Sequence, residues 1–173
     1  MIIVKIIAVV IGIFIILVAI IPNSYTVSVS NTIKRPKAEV LDYVKKFENQ
    51  TKYSVWVMED KNVKLKYAGV DGEVGVNQAW DSEVKNVGAG NQTLTALTDS
   101  RVDVDIHFDK PMKGDVKAAT ILETITDNET KITTEFYSTT PRPFSVMSYL
   151  IGKPIISKAM KQNLINIKSN LEK

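Results

Sequence analysis

The chain contains no cysteine and only one histidine, His107. The first absence removes disulfides, thiol nucleophiles and cysteine-containing zinc sites together. The second leaves a single imidazole for any catalytic relay. Charge of one sign is also scarce: the formal net charge is +3 over 173 residues, and the basic residues are scattered, densest at Lys34, Arg35 and Lys37 and at Lys45 and Lys46. Nucleic acid requires a clustered basic face, and this distribution does not supply one.

Apolar content is ample, with 45% hydrophobic and 24% charged residues, which suits one globular domain carrying an appendage rather than a disordered chain. The appendage is MIIVKIIAVVIGIFIILVAII, in which the sixteen residues from Ile6 to Ile21 carry no polar side chain. At about 1.5 Å per residue such a helix spans roughly 30 Å, the thickness of a bilayer core, and Lys5 can reach back to the headgroups. Residues 1–22 are therefore expected to be a single-pass membrane anchor, with residues 23–173 forming the domain. A secretory signal peptide is the competing reading; the run is long for one, and no small-x-small motif precedes Pro22. Lys5 favours a cytoplasmic amino end and an extracytoplasmic domain.

Within the domain, YTVSVSNTI (25–33) alternates apolar and polar residues with the period of a half-buried strand. Pro36 then opens a short amphipathic helix over 36–48, with Val40, Val44 and Phe47 on one face. From 63 to 138 the chain alternates in short runs: 63–68, 73–84, 91–98, 101–109, 115–125 and 130–138. Turn signals separate them, including Asp71-Gly72, Gly88-Ala89-Gly90 and Asp127-Asn128. After a Pro141 and Pro143 loop and a short apolar segment (144–151), residues 155–172 place Ile156, Met160, Leu164, Ile167 and Leu171 on one helical face. The order predicts an α+β domain in which a curved antiparallel sheet wraps around a long C-terminal helix.

Parity sorts the strand residues. Tyr25, Val27, Val29 and Ile33 share a face, as do Val63, Leu65 and Tyr67; Val74, Val76, Gln78, Trp80, Ser82 and Val84; Val102, Val104, Ile106 and Phe108; and Ile132, Thr134 and Phe136. These should face the helix. The opposite parity collects the charge, including Arg101, Asp103, Asp105, His107 and Asp109. No charged strand residue is expected on the inner face. The run RVDVDIHFD, which looks like a metal or relay site, is thus assigned to the outer one. Its Asp103, Asp105 and His107 lie about 6.6 to 6.8 Å apart along the strand and make a poor tetrahedral set. The glycines at 69, 72 and 75 join two strands and do not fit a dinucleotide fingerprint. The sequons at Asn49, Asn91 and Asn128 matter only where the chain is glycosylated.

The stretch Tyr53–Trp80 (YSVWVMEDKNVKLKYAGVDGEVGVNQAW), Gly88–Leu94, the RVDVDIHFDKP run and Asn163–Lys168 with Glu172 together resemble the START-like (SRPBCC) superfamily, near its polyketide cyclase/dehydrase branch. Tyr53 departs from the tryptophan common there. The resemblance implies a helix-grip fold with a hydrophobic cavity under the C-terminal helix. The expected lining is Tyr53, Trp56, Tyr67, Trp80, Phe108, Phe136, Met147, Met160 and Leu164, with Gln78 and Thr134 as neutral polar groups. The competing reading of each is a filled core. The expected function is a membrane-tethered binder of a small hydrophobic molecule, lipid or isoprenoid-like, with no cofactor and no metal. A cyclase- or hydrolase-like enzyme, with Tyr53 or Tyr67 as the suspect, and a protein-interaction module are the alternatives.

Overall fold

A computed structural model describes residues 2–173. It opens with helix α1 (Ile2–Ile20), 19 residues long and apolar enough to cross a membrane. Strand β1 (Ser24–Ile33) follows almost at once. Helix α2 (Lys37–Val44), a single 3-10 turn (Phe47–Asn49) and two short helices, α3 (Gln50–Tyr53) and α4 (Val55–Glu59), lead to six further strands: β2 (Lys64–Ala68), β3 (Asn77–Asp81), β4 (Ala89–Leu97), β5 (Arg101–Lys110), β6 (Gly114–Thr126) and β7 (Glu129–Thr139). The chain ends in a helical run of α5 (Ser145–Met147), a wide π-type turn (Ser148–Gly152) and α6 (Lys153–Leu171).

The seven strands form one antiparallel sheet in the order β1-β7-β6-β5-β4-β3-β2. Its register aligns the apolar parity across the whole sheet. Val27 sits opposite Phe136, which sits opposite Ala118, which sits opposite Val104 and then Leu94. Register shifts between Ala89 and Gly90 and between Leu94 and Ala96 interrupt the β4–β5 ladder, and such bulges bend a sheet and raise its twist. Helix α6 packs into one end of the resulting hollow: Leu164 and Ile167 join Val27, Val29, Ile33, Leu94, Val102, Leu122 and Ile132 in one buried cluster, with Val40, Val44 and Phe47 from the first helical segment.

Two expectations need correction. The strand foreseen at 73–84 is regular only over Asn77–Asp81, with Gly75 and Val76 still hydrogen-bonded to Leu94, and Val74 is exposed rather than inward. The cause lies far off in sequence: the Asp71 carboxylate accepts from the backbone N–H of Phe47 (2.7 Å) and of Glu48 (3.0 Å). The Asp71-Gly72 turn is thereby drawn onto the helical segment as a wide loop. The same contact bears on the helix foreseen over 36–48, which stops at Val44 and resumes as separate short turns.

The wide turn before α6 has a local cause. Pro154 lies inside a run whose flanking residues Met147, Ser148, Gly152 and Lys153 all keep right-handed helical dihedrals. A proline ring within a helix clashes with the carbonyl four residues earlier and removes a donor, and a widened turn relieves both. Gly90 is required for a different reason. A Cβ there would lie 2.2 Å from the His107 carbonyl oxygen and 2.7 Å from the Trp80 ring. Gly90→Ala should therefore destabilise the fold by about 1–3 kcal/mol, whereas Gly114→Ala, with nothing within 4 Å of its Cβ position, should stay within about 0.5 kcal/mol of the parent. Paired chemical-denaturation curves check this.

Candidate functional site: the inner face of the sheet

The sheet's inner face is closed at one end and open at the other. At the closed end lie the fully buried Ile33, Leu94, Ile132 and Leu164 with Val102 and Leu122. Toward the other end the inward parity continues through Val104, Ile106 and Phe108 on β5, Val116 and Ala118 on β6, Phe136 on β7, Trp80 on β3 and Leu65 on β2, and every one of these is only half-buried. The side chains of α6 cover the first group and leave the second in contact with water.

The predicted lining divides along the same line. Trp80 and Phe108 meet edge to face, with centroids 5.8 Å apart. Phe136 and Met160 pack against the edge of the core cluster, while Leu164 is inside it and belongs to the filled end. Tyr53 also rests on the cluster and meets Tyr43 at 6.0 Å. Trp56 is half-buried on α4. Tyr67 and Met147 are exposed: Tyr67 is on the sheet's last strand, and Met147 lies on the outside of α5. The Thr134 hydroxyl, level with Val29 and Val102 in the filled end, is buried without a hydrogen-bond partner.

The inner face carries a chain of neutral polar groups. Gln92 donates through Nε2 to Oε1 of Gln50 at 2.7 Å and to Oε1 of Gln78; Gln78 in turn donates to the Tyr67 hydroxyl at 2.9 Å. Gln92 and Gln50 were not foreseen, although Gln92 has the same strand parity as Leu94 and could have been found by it. A buried carboxylate was also missed. Asp60, between α4 and β2, accepts from the Ser82 hydroxyl and from the Asn62 N–H at 2.8 Å. It escaped parity because it lies in no strand. The Ser82 oxygen itself accepts from the N–H of Val84 at 3.0 Å, so the pair closes the β3–β4 connection against α4. Burial pushes the Tyr53 phenol well above its ordinary value, which keeps it neutral and makes it a weak proton donor and a rare phenolate.

His107 is on the outer face, as parity required. Its Nδ1 lies 2.6 Å from an Asp115 carboxylate oxygen and its Nε2 3.6 Å from Asp109. Around it, an open groove of about 370 Å³ is lined by Asn91, Thr93, Asp105, Lys117 and Tyr137. Another depression, about 440 Å³, lies between α2 and the end of α6 beside Tyr43. Neither touches the predicted lining residues. Among the described residues no group of three or more metal-binding side chains converges.

No family model and no curated protein matches this chain. Solved structures do match. Protein CV1439 from Chromobacterium violaceum aligns over 86% of this chain and 97% of its own, with TM-score 0.61 and 14% identity. Ara h 8.0201 aligns over 86% and 97%, with TM-score 0.58 and 16% identity. The KanY protein aligns over 87% and 99%, with TM-score 0.64 and 10% identity. At these identities the likeness concerns the fold, and the fold is the helix grip.

The hydrogen bond that the His107 ring makes to the Asp115 carboxylate raises its pKa above 6.5 against desolvation, with smaller help from the charges of Asp115 and Asp109 and a small opposing effect of Lys113. The contribution to stability is thus complete below that ordinary value and fades as pH rises through the raised folded one. Because no other histidine exists, the imidazole proton signal in an NMR titration is unambiguous. Its midpoint should lie above 6.5 and fall in Asp115→Asn.

Proposed function

We propose that the protein is a membrane-tethered binder of a small hydrophobic molecule, lipid or isoprenoid-like, held between the open half of the sheet and the C-terminal helix. One observation carries the reading: a band of apolar and aromatic inner-face side chains, from Phe136 across to Trp80 and Leu65, is left half-covered by the protein's own helix. Apolar surface left in water is unfavourable by about 25 cal/mol per Å², so a greasy occupant would complete what the fold leaves unfinished. Residues 1–22 would be the anchor and residues 23–173 the domain, on the extracytoplasmic side. Membership of the polyketide cyclase/dehydrase-like branch of the superfamily is part of the same proposal and rests on the Tyr53–Trp80 stretch.

The buried Asp60–Ser82 pair favours a second reading, a hydrolase-like enzyme. Against it, both Ser82 and Asp60 already hold backbone N–H groups, and the imidazole that would activate a hydroxyl is on the far side of the sheet.

The chain's only tryptophans, Trp56 and Trp80, are both among the predicted lining residues. Native mass spectrometry of the full chain released from membranes should reveal a co-purifying small molecule, and titration with lipids should change the tryptophan emission. Ala118→Phe, which places a ring between Val104 and Phe136, should weaken that response tenfold or more with the circular dichroism unchanged. An empty protein whose emission no lipid alters would refute the binding reading.

A further inference from the structure

We infer that the open end of the grip is seated on the bilayer surface, so that an apolar molecule passes between membrane and inner face without crossing water. The inference rests on the reading of α1 as an anchor; only the passage of the molecule rests on the binding reading as well.

Strand register fixes which end of the sheet lies next to α1. Tyr25, five residues beyond the end of that helix, pairs with Ser138, which pairs with Val116, which pairs with Ile106. The next pairs outward, Phe108 with Gly90 and Gly90 with Trp80, lie at the edge of the same end. The half-buried inner-face residues are therefore at the α1 end, and the filled core is at the other. Only three residues, Ile21 to Asn23, separate Ile20 from Ser24, and the four residue steps between them reach at most about 14 Å when extended.

The helical run is tied to this junction. The Tyr25 hydroxyl is 3.1 Å from Ser148 Oγ, the Tyr25 and Tyr149 rings meet edge to face at 5.8 Å, and the Lys153 ammonium lies 4.6 Å from the Tyr149 centroid. Arg142 donates to the Ala19 carbonyl at 3.3 Å, and the Thr140 N–H to that of Asn23 at 2.8 Å. Held in this way, Phe144, Met147, Leu150, Ile151 and Ile155 are half-exposed or more. Across the opening, the β5–β6 hairpin carries the equally exposed Met112.

A soluble protein rarely leaves this many large apolar side chains together in water. Their neighbours choose the occupant. Apolar tips beside tyrosines and basic groups are the composition of a segment lying in the headgroup region, and here Arg142, Lys153 and Lys113 stand around the tips to meet anionic lipid. Asp109 and Asp115, near the same hairpin, are on the outer face with His107.

The absence of cysteine makes the test direct. Single variants Met112→Cys, Met147→Cys and Leu150→Cys, with Ile125→Cys at the opposite end of the sheet as control, would be made in the full chain. Each would be labelled with an environment-sensitive fluorophore and reconstituted into vesicles of equal parts phosphatidylcholine and phosphatidylglycerol. All four positions are exposed, so the substitutions leave the core untouched, and the variants report independently if one fails to fold. The first three probes should shift to the blue and be quenched by lipids spin-labelled near the headgroup, while the control remains in water. Rim probes as wet as the control would overturn the inference. Probes shielded from water but unquenched by labelled lipid would also overturn it, assigning the rim to a protein partner or a second copy. Quenched rim probes together with an empty cleft in mass spectrometry would uphold the seating and sink only the binding reading.

Discussion

The whole molecule depends on the two-residue period of seven antiparallel strands held in a common register. Once Val27, Phe136, Ala118, Val104 and Leu94 are aligned across the sheet, their alternate neighbours are committed to the outer face, and a slip of one residue on β5 or β7 would bring Asp103, His107 or Glu135 inside. That penalty makes the register unique. It also separates the chemistry of the strands into two compartments: ion pairs such as Arg101 with Asp103 and Lys131 with Glu123 sit on the outer face, while strand amides, hydroxyls and hydrocarbon occupy the inner one, where the loop residue Asp60 adds a carboxylate at the margin against Ser82.

The second constraint is one of coverage. A single helix cannot cover the inner face of a seven-stranded sheet, and the filled core accordingly occupies only the end where Leu164 and Ile167 reach down between β1 and the helical segment at 37–59. The inner-face residues beyond it, from Phe136 to Leu65, are left half-buried. Likeness to CV1439, Ara h 8.0201 and KanY at 10–16% identity concerns the shape alone.

The sheet was legible because its signal is local. Val102, Val104, Ile106 and Phe108 declare their side by alternation alone, and the fate of His107 followed from theirs. What escaped was set by partners distant in sequence. No property of residues 69–76 announces that Asp71 will bind the backbone at Phe47 and Glu48, and nothing periodic marks Asp60. The candidate lining was readable as a face but not as a depth: Leu164 and Met160 occupy the same helical stripe, yet one ends in the filled core and the other at its margin, a difference decided by where the helix stops covering the sheet. Met147 lies in no strand whose alternation could sort it, and it ends exposed in the helical run before Pro154.

The chain of amides running from Gln50 through Gln92 and Gln78 to Tyr67 gives the inner face an unusual versatility. A primary amide carries a donor and an acceptor on one plane and exchanges them by a half-turn about its last bond. Turning Gln92 and Gln78 over together would change the Tyr67 hydroxyl from the acceptor of the Gln78 bond to its donor, at the cost of the 3.5 Å bond from Gln78 to the Phe47 carbonyl. A guest bearing an alcohol and a guest bearing a ketone could each be met by its complement without any group changing its charge.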